Sequence, residues 1–325
     1  ITQSGQLAIR WAEKAMNKSI NKIMNTDEDY VIAIDTDSLY VNFGPLIEKQ
    51  KPVNPVKFLD KVCSTFFEVE MEKAYKKLNI QQNCHKPRMV MAREAIADRG
   101  IWTAKKRYIL NVHNNEGVQY SKPKLKIMGI EAIKSSTPQI VREKFKEIFK
   151  VIISSTEEET QRFIEDFKIE FKKQPPENIS FPRSANNITK FTDRQTIYKK
   201  GTPIHIRGSI LYNKLLNDKG VLNKYELISG GDKIKFVYLK KPNALMENII
   251  AFPEVLPKEF QLHTYIDYDL QFEKTFIEPL KLILDAVGWK STKEINLGDD
   301  LGQIKKLIKK QRKEVTVSTA KLPGM

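Results

Sequence analysis

The stretch "DYVIAIDTDSLYVNF", residues 29–43, decides how this chain is read. Two short runs, "YVIAI" and "LYVNF", are rich in β-branched and aromatic residues and flank a polar "DTDS", the pattern of two strands around a tight turn. Asp35 and Asp37 are two apart, so in extended backbone their side chains share a face. At a hairpin tip the two carboxylates can converge on a hard divalent cation such as Mg²⁺, which takes oxygen ligands and works beside substrate phosphates. Phosphoryl or nucleotidyl transfer is the chemistry such a site suggests.

Two competing readings stand beside it. In the first, Asp and Ser bond their own backbone and the segment is only a polar turn. In the second, a D-x-D after an apolar strand carries a phosphatase nucleophile. That pattern calls for Gly and then Thr after the second aspartate, whereas Ser38 and Leu39 stand there, and "LYVNF" is strand-like where a helical cap is required. The four residues alone leave turn and metal site open.

Outward from the hairpin, Leu7, Ile9, Trp11, Ala15, Met16 and Ile20 recur at helical spacing and predict a first helix ending near "NKIMNTDED". After Pro52 and Pro55, "VKFLDKVCSTFFEVEMEKAYKKLNI" predicts a long amphipathic helix burying Phe58, Val62, Phe66, Val69 and Tyr75. Two strands are predicted next, "PRMVMAREAIA" and "AKKRYILNVHN", with "DRGIWTA" as a short loop between "EAIA" and "KKRY". The second strand runs through "NNEG" into "VQYSKPKLKIMG". This order gives an α+β fold with an antiparallel sheet backed by helices.

A boundary falls near Gly129, beyond which the pattern turns helical for about forty residues, with Ser136 or Thr137 as N-cap and Pro138 in the first turn. Pro175, Pro176 and Pro182 break the helices, "PIHIRGSILYNKLL" resumes a packed element, and "DKIKFVYLK" reads as a strand. The basic run "IKKLIKKQRK" reads as a solvated helix face or arm, and no internal repeat is present.

The 55 Lys and Arg against 40 Asp and Glu give +15, with pI ≈ 9.5, a balance suited to a polyanionic partner. In "AKKRYILNV" strand alternation puts Lys106 and Tyr108 on one face and Lys105 and Arg107 on the other, a cation–aromatic pairing common at nucleic-acid surfaces. An edge strand guarded by lysines is the plainer reading. Cys63 and Cys84 are too few for a disulfide framework or a Cys-rich zinc site and suit a reducing cytoplasm. His85, His113 and His263 show no metal-ligand spacing, and Trp11, Trp102 and Trp289 read as core or interface anchors. No apolar run reaches the roughly 20 residues of a membrane span. The chain opens on Ile1 in an amphipathic pattern without a signal-peptide core, which reads as a start within a domain, from a cut gene or one piece of a split enzyme.

"DTDSLYV", "REAIA", "KKRYILNV", "PKLKIMGIEAIKSSTP", "RSANNITKF", "IHIRGSILYN" and "EKTFIEPL" occur in the order found in family B DNA polymerases, and the chain resembles those of T-even-like tailed phages from Ile1 to about Leu280. The resemblance implies the C-terminal part of a palm, residues 1–129, followed by a mainly helical thumb with a small β element and a basic tail, residues 130–325. It implies that Asp37 ligates two catalytic Mg²⁺ ions with a motif A aspartate, that Asp35 lies beside them, and that Glu94 is a nearby palm carboxylate. Lys106 and Tyr108 match residues that touch the primer end from the minor groove, and Lys105 and Arg107 beside them are implied DNA contacts. Lys124 and Lys126 of "PKLKIMG", Asn186 of "SANN", and His205 and Arg207 of "IHIRG" are implied contacts to the duplex.

The implied reaction extends a DNA primer on a template with dNTPs, in the cytoplasm of a bacterial host. This sequence departs from the family in carrying Ala33 and Ile34 where motif C usually has Tyr-Gly. Motif A, the fingers helix and the exonuclease carboxylates belong upstream of Ile1 in family order, so activity is expected only with an N-terminal polymerase part. Phage members commonly end in an aromatic peptide that docks on a sliding clamp, and "VSTAKLPGM" carries no such pair, leaving clamp binding open. A non-catalytic basic DNA-binding module that retains a palm-like hairpin is the second reading.

Overall fold

The computed structural model describes residues 2–86 and 88–292. Its first layer is helical. Helix α1 (Thr2–Met24) leads to the hairpin β1 (Val31–Asp35) and β2 (Ser38–Val41), then to α2 (Gly44–Gln50), α3 (Pro55–Val62) and α4 (Glu68–Gln81). Ala12, Met16 and Ile20 of α1 bury against Phe67, Met71, Tyr75 and Leu78, and the hairpin adds Val31 to this cluster. Trp11 anchors the two helices by donating its indole N–H to the Ala74 carbonyl at 2.9 Å.

Helices α3 and α4 are one continuous rod with a π turn, Cys63–Phe67, between them. That turn inserts one residue, so the buried stripe passes from Phe58 and Val62, half-buried, to Cys63, Phe67 and Met71. The stripe expected from simple helical spacing is thereby corrected: Val69 is exposed and Phe66 only half-buried. Spacing arguments assume a constant 3.6 residues per turn, which a π turn breaks.

Strands β3 (Ala95–Ala104), β4 (Arg107–Asn115) and β5 (Val118–Met128) form an antiparallel sheet in that order. Residues 88–94, expected to begin a strand, are irregular, and "DRGIWTA", expected as a loop, is the second half of β3. Irregular register at Ala97/Gly100 and Trp102/Ala104 breaks the alternation that would have revealed it. Ile101, Ile109, Leu125 and Ile127 on one face join the large core, while Trp102, Tyr108, Leu110 and Val112 on the other form a separate cluster with Tyr40. The sheet thus lies between the main core and the β1–β2 hairpin.

Beyond it, α5 (Gln139–Ser154) and α6 (Glu157–Phe171) replace the single helical stretch of the sequence reading. The N-cap of α5 is Pro138 itself, without a side-chain bond from Ser136 or Thr137. Helix α6 starts on a capping box, Thr156 with Glu159, which satisfies two otherwise unpaired N–H groups and explains the break. The short α7 (Pro176–Ile179), β6 (Phe181–Ser184), α8 (Ile188–Phe191) and the two-residue strands β7 (Thr192–Asp193) and β8 (Ile197–Tyr198) precede α9 (Ile204–Asp218). Helix α9 packs on β9 (Lys233–Tyr238) and β10 (Ile249–Phe252), and β6, β9 and β10 make a second three-stranded sheet. Gly208 permits this approach, since a Cβ there would stand 2.8 Å from the Ala251 nitrogen. Helices α10 (Tyr268–Phe272) and α11 (Glu278–Val287) close the core, where Phe276 meets Phe145 and Phe167 at ring distances of 4.8 Å.

The architecture is α+β, with antiparallel sheets and helical layers. Among the described residues no helix is long and apolar enough to cross a membrane. The "IKKLIKKQRK" run and the "VSTAKLPGM" end lie outside the described residues.

Candidate metal and nucleic-acid site

Asp35 pairs with Ser38, so Thr36 and Asp37 alone make the turn of the first hairpin. Thr36 takes φ +53°, the left-handed backbone that two-residue hairpin turns require, and the Asp37 N–H donates to the Asp35 carbonyl at 2.6 Å. The two carboxylates then differ in setting. Asp35 is half-buried and accepts the Thr36 hydroxyl at 3.0 Å. Asp37 is exposed and its carboxylate has no hydrogen-bond or ion-pair partner among the described residues.

A second hairpin tip faces the first. Lys105 and Lys106 form the turn between β3 and β4, so strand alternation does not place them, and that part of the sequence reading is corrected. Lys106 takes φ +62°, and its carbonyl lies where a Cβ on Gly129 would come within 2.0 Å, so the turn is seated against the glycine of "KIMG". From there Lys106 Nζ reaches Asp35 Oδ1 at 3.4 Å and the Thr36 hydroxyl at 3.5 Å. Lys105, Lys106 and Arg107 are exposed. Arg107 also forms a 3.8 Å ion pair with Glu131.

Behind the two tips three aromatic rings join the hairpin to the sheet. Tyr40 of β2 lies edge-on to Trp102 at 5.5 Å and to Tyr108 at 5.3 Å. Burial, a hydrogen bond with Tyr108, and the nearby charges of Asp35 and Glu94 all push the Tyr40 phenol above its ordinary pKa. Tyr108 itself is only 6% exposed, so its ring serves this joint. Tyr40 and Trp102 were not singled out as site residues in the sequence, because the contact that gives them meaning spans more than sixty positions. Tyr40 stands two residues past "DTDS" and was available as a signal only in that sense.

Glu94 lies at the start of the sheet and its carboxylate is taken by Lys126 of β5. That contact raises the Lys126 pKa, with the Glu94 hydrogen bond as the main cause. Lys124, on the same face, sits over the Tyr120 ring at 4.2 Å and is exposed. Among the described residues no group of three or more His, Cys, Asp or Glu side chains is close enough to hold a metal ion. Two carboxylates, one free and one paired with a lysine, are what the first tip offers; as hard oxygen donors they fit part of a Mg²⁺ ligand set.

The remaining predicted residues lie in the other half of the molecule. Asn186 is exposed and its N–H bonds the Ser184 carbonyl at 3.0 Å. His205, in the first turn of α9, is half-buried, and burial followed by the charge of Arg183 holds its pKa below the ordinary value. Arg207 Nη2 donates to Asn248 Oδ1 at 2.6 Å, and its guanidinium lies 5.7 Å from the centre of the Tyr198 ring. Tyr198 in turn bonds Glu247. Among the described residues, no hydrogen bond or ion pair joins Asn186, His205 or Arg207 to the hairpin tips.

No family model matches the chain. It is 33% identical over 307 residues to the DNA-directed DNA polymerase of Enterobacteria phage T4, which covers 89% of this chain and 34% of that protein. It is 35% identical over 319 residues to the DNA-directed DNA polymerase of Escherichia phage RB69, covering 92% of this chain and 35% of that protein. The chain therefore spans about a third of the length of these relatives. It is a polymerase-related region of the T-even-like phage type.

Proposed function

We propose that this chain forms the C-terminal palm and thumb, residues 1–129 and 130–325, of a family B replicative DNA polymerase that extends a DNA primer on a template. The observation that supports it best is the apposition of an acidic tip and a basic tip, with Lys106 Nζ 3.4 Å from Asp35. Nucleotidyl transfer needs the same neighbourhood: oxygen ligands for metal beside cations that hold the polyanionic primer. Asp37, with Asp35 beside it and Glu94 nearby, would hold Mg²⁺, and the bound ion would supply the positive charge that favours deprotonation of the primer 3′-hydroxyl and offsets charge on the triphosphate. Lys105, Lys106 and Arg107 hold the primer end, with Tyr108 seating their strand, and Lys124, Lys126, Asn186, His205 and Arg207 belong to the duplex surface. Contacts of this kind go to the backbone without reading sequence, as copying requires.

The relatives are about three times as long, and the tip lacks a third acidic ligand among the described residues. We assign that ligand, the fingers and the exonuclease to an N-terminal polymerase part outside this sequence, with dNTPs and a sliding clamp as further partners in the host cytoplasm. In enzyme reconstituted with such a part, Asp37→Ala should cut synthesis by a factor of about 100 or more, since metal charge stabilisation is worth several kcal/mol. DNA affinity should hold. Unchanged synthesis would favour the non-catalytic DNA-binding module, and robust primer extension by the isolated chain would overturn the partial role.

A further inference from the structure

Lys106 has two claims on its charge. It is placed to meet the primer end, and among the described residues it is also the one cation paired with the two aspartates of the acidic tip. We propose that Lys106 is the resident counter-ion of the acidic tip, held by Asp35 until a divalent cation takes its place, so that cation binding and DNA binding are coupled through this one side chain. This inference rests on the polymerase reading of the two tips.

Three features show that the apposition is built. Both tips carry a non-glycine residue in left-handed backbone, Thr36 at φ +53° and Lys106 at φ +62°, at the positions that touch. The Lys106 backbone is seated on Gly129, where no Cβ fits. Tyr40, edge-on to Trp102 and Tyr108, then joins the first hairpin to the sheet that carries the second tip. The lysine ammonium itself is loosely held: the Lys106 side chain is 71% exposed against 28% for Asp35, and both polar contacts are long. A fixed backbone with a weakly bound ammonium suits exchange. A divalent cation on Asp35 and Asp37 would cancel the attraction and repel the ammonium, freeing it for a phosphate or base edge.

The test is a set of primer–template affinities for the full chain, by fluorescence anisotropy, in EDTA and in Ca²⁺. Lys106→Met should weaken binding little in EDTA and about threefold more in Ca²⁺, the scale of an exposed ion pair. In an Asp35→Asn background the lysine is already free, so Lys106→Met should cost the full factor in EDTA. Asp37→Asn removes the same charge without touching Lys106 and serves as the control: in that background the EDTA effect should stay small. An equal effect of Lys106→Met in EDTA and Ca²⁺, unaltered by Asp35→Asn, would overturn the coupling while leaving Lys106 a DNA contact. No effect in any condition would remove Lys106 from the DNA surface, and the proposal with it. Circular dichroism of each variant excludes misfolding.

Discussion

Lys106 and Arg207 come from two equally recognisable motifs, "KKRY" and "IHIRG", yet the fold employs them differently. Lys106 stands on a turn, 71% exposed, and touches another tip by long contacts. Arg207 stands on a helix wedged against a sheet, its guanidinium bonded to Asn248 at 2.6 Å and 5.7 Å from the centre of the Tyr198 ring. Its neighbours Gly208 and Ser209 are buried. Motif strength in a sequence reports that a residue matters, and only its place in the fold separates a side chain exposed on a turn from one that is also bonded into the scaffold. The contrast extends to whole regions: small clusters seat the hairpin tips, while one large core unites the sheet's inner face with α5 to α11.

The largest effect should come from that large core. Phe276→Ala removes a fully buried ring that touches Phe145, Phe167 and Phe272, and should cost about 3–5 kcal/mol in denaturant unfolding. Gly129→Ala comes next, at about 3 kcal/mol, because a Cβ would collide with the Lys106 carbonyl and the backbone is at φ +66°. It differs from the first variant in also displacing the basic tip. DNA affinity should fall in Gly129→Ala under conditions where the chain remains folded, whereas folded Phe276→Ala should bind DNA as the parent does.

How much of this was legible beforehand depended on distance along the chain. The "DTDS" hairpin, the "NNEG" turn and the α+β order follow local rules and were readable. The capping box at Thr156 was equally local, yet the helical pattern ran on through "SSTEEE" and hid the break. The π turn at Cys63–Phe67 and the bulges in β3 were not readable, because each adds or displaces a residue that no composition signal marks. For the site, local rules placed Asp35 and Asp37 at a hairpin tip, whereas Lys106 reads as a strand residue in the sequence and stands in a turn in the fold. Their apposition, and the Tyr40–Trp102–Tyr108 joint that enforces it, are tertiary facts.

The contrast between the two motifs can be tested directly with paired substitutions. Arg207→Met should cost about 1–3 kcal/mol of stability, since it removes a charge-assisted hydrogen bond and leaves Asn248 unpartnered. Lys106→Met should stay within about 0.5 kcal/mol of the parent, as expected for an exposed residue, while losing DNA affinity. Equal unfolding midpoints for the two variants would break the distinction drawn between tip and helix.

The smallest effect concerns His205, which shares α9 with Arg207. Burial, then Arg183, holds its pKa below the ordinary His value, and its place in the first turn adds the helix dipole in the same direction. As pH falls through about 6.5 the unfolded chain takes up this proton before the folded one. Stability is therefore fully present above that pH and declines below it, toward the depressed folded value. His205→Gln should flatten this part of the midpoint-versus-pH curve between pH 7.5 and 5.5, and an unchanged slope would show that His205 does not set it. Bound DNA sharpens the test, because a phosphate near His205 favours the imidazolium. If His205 belongs to the duplex surface, DNA binding to the parent should strengthen on acidification more than binding to His205→Gln does, whereas a histidine that only braces α9 predicts parallel curves.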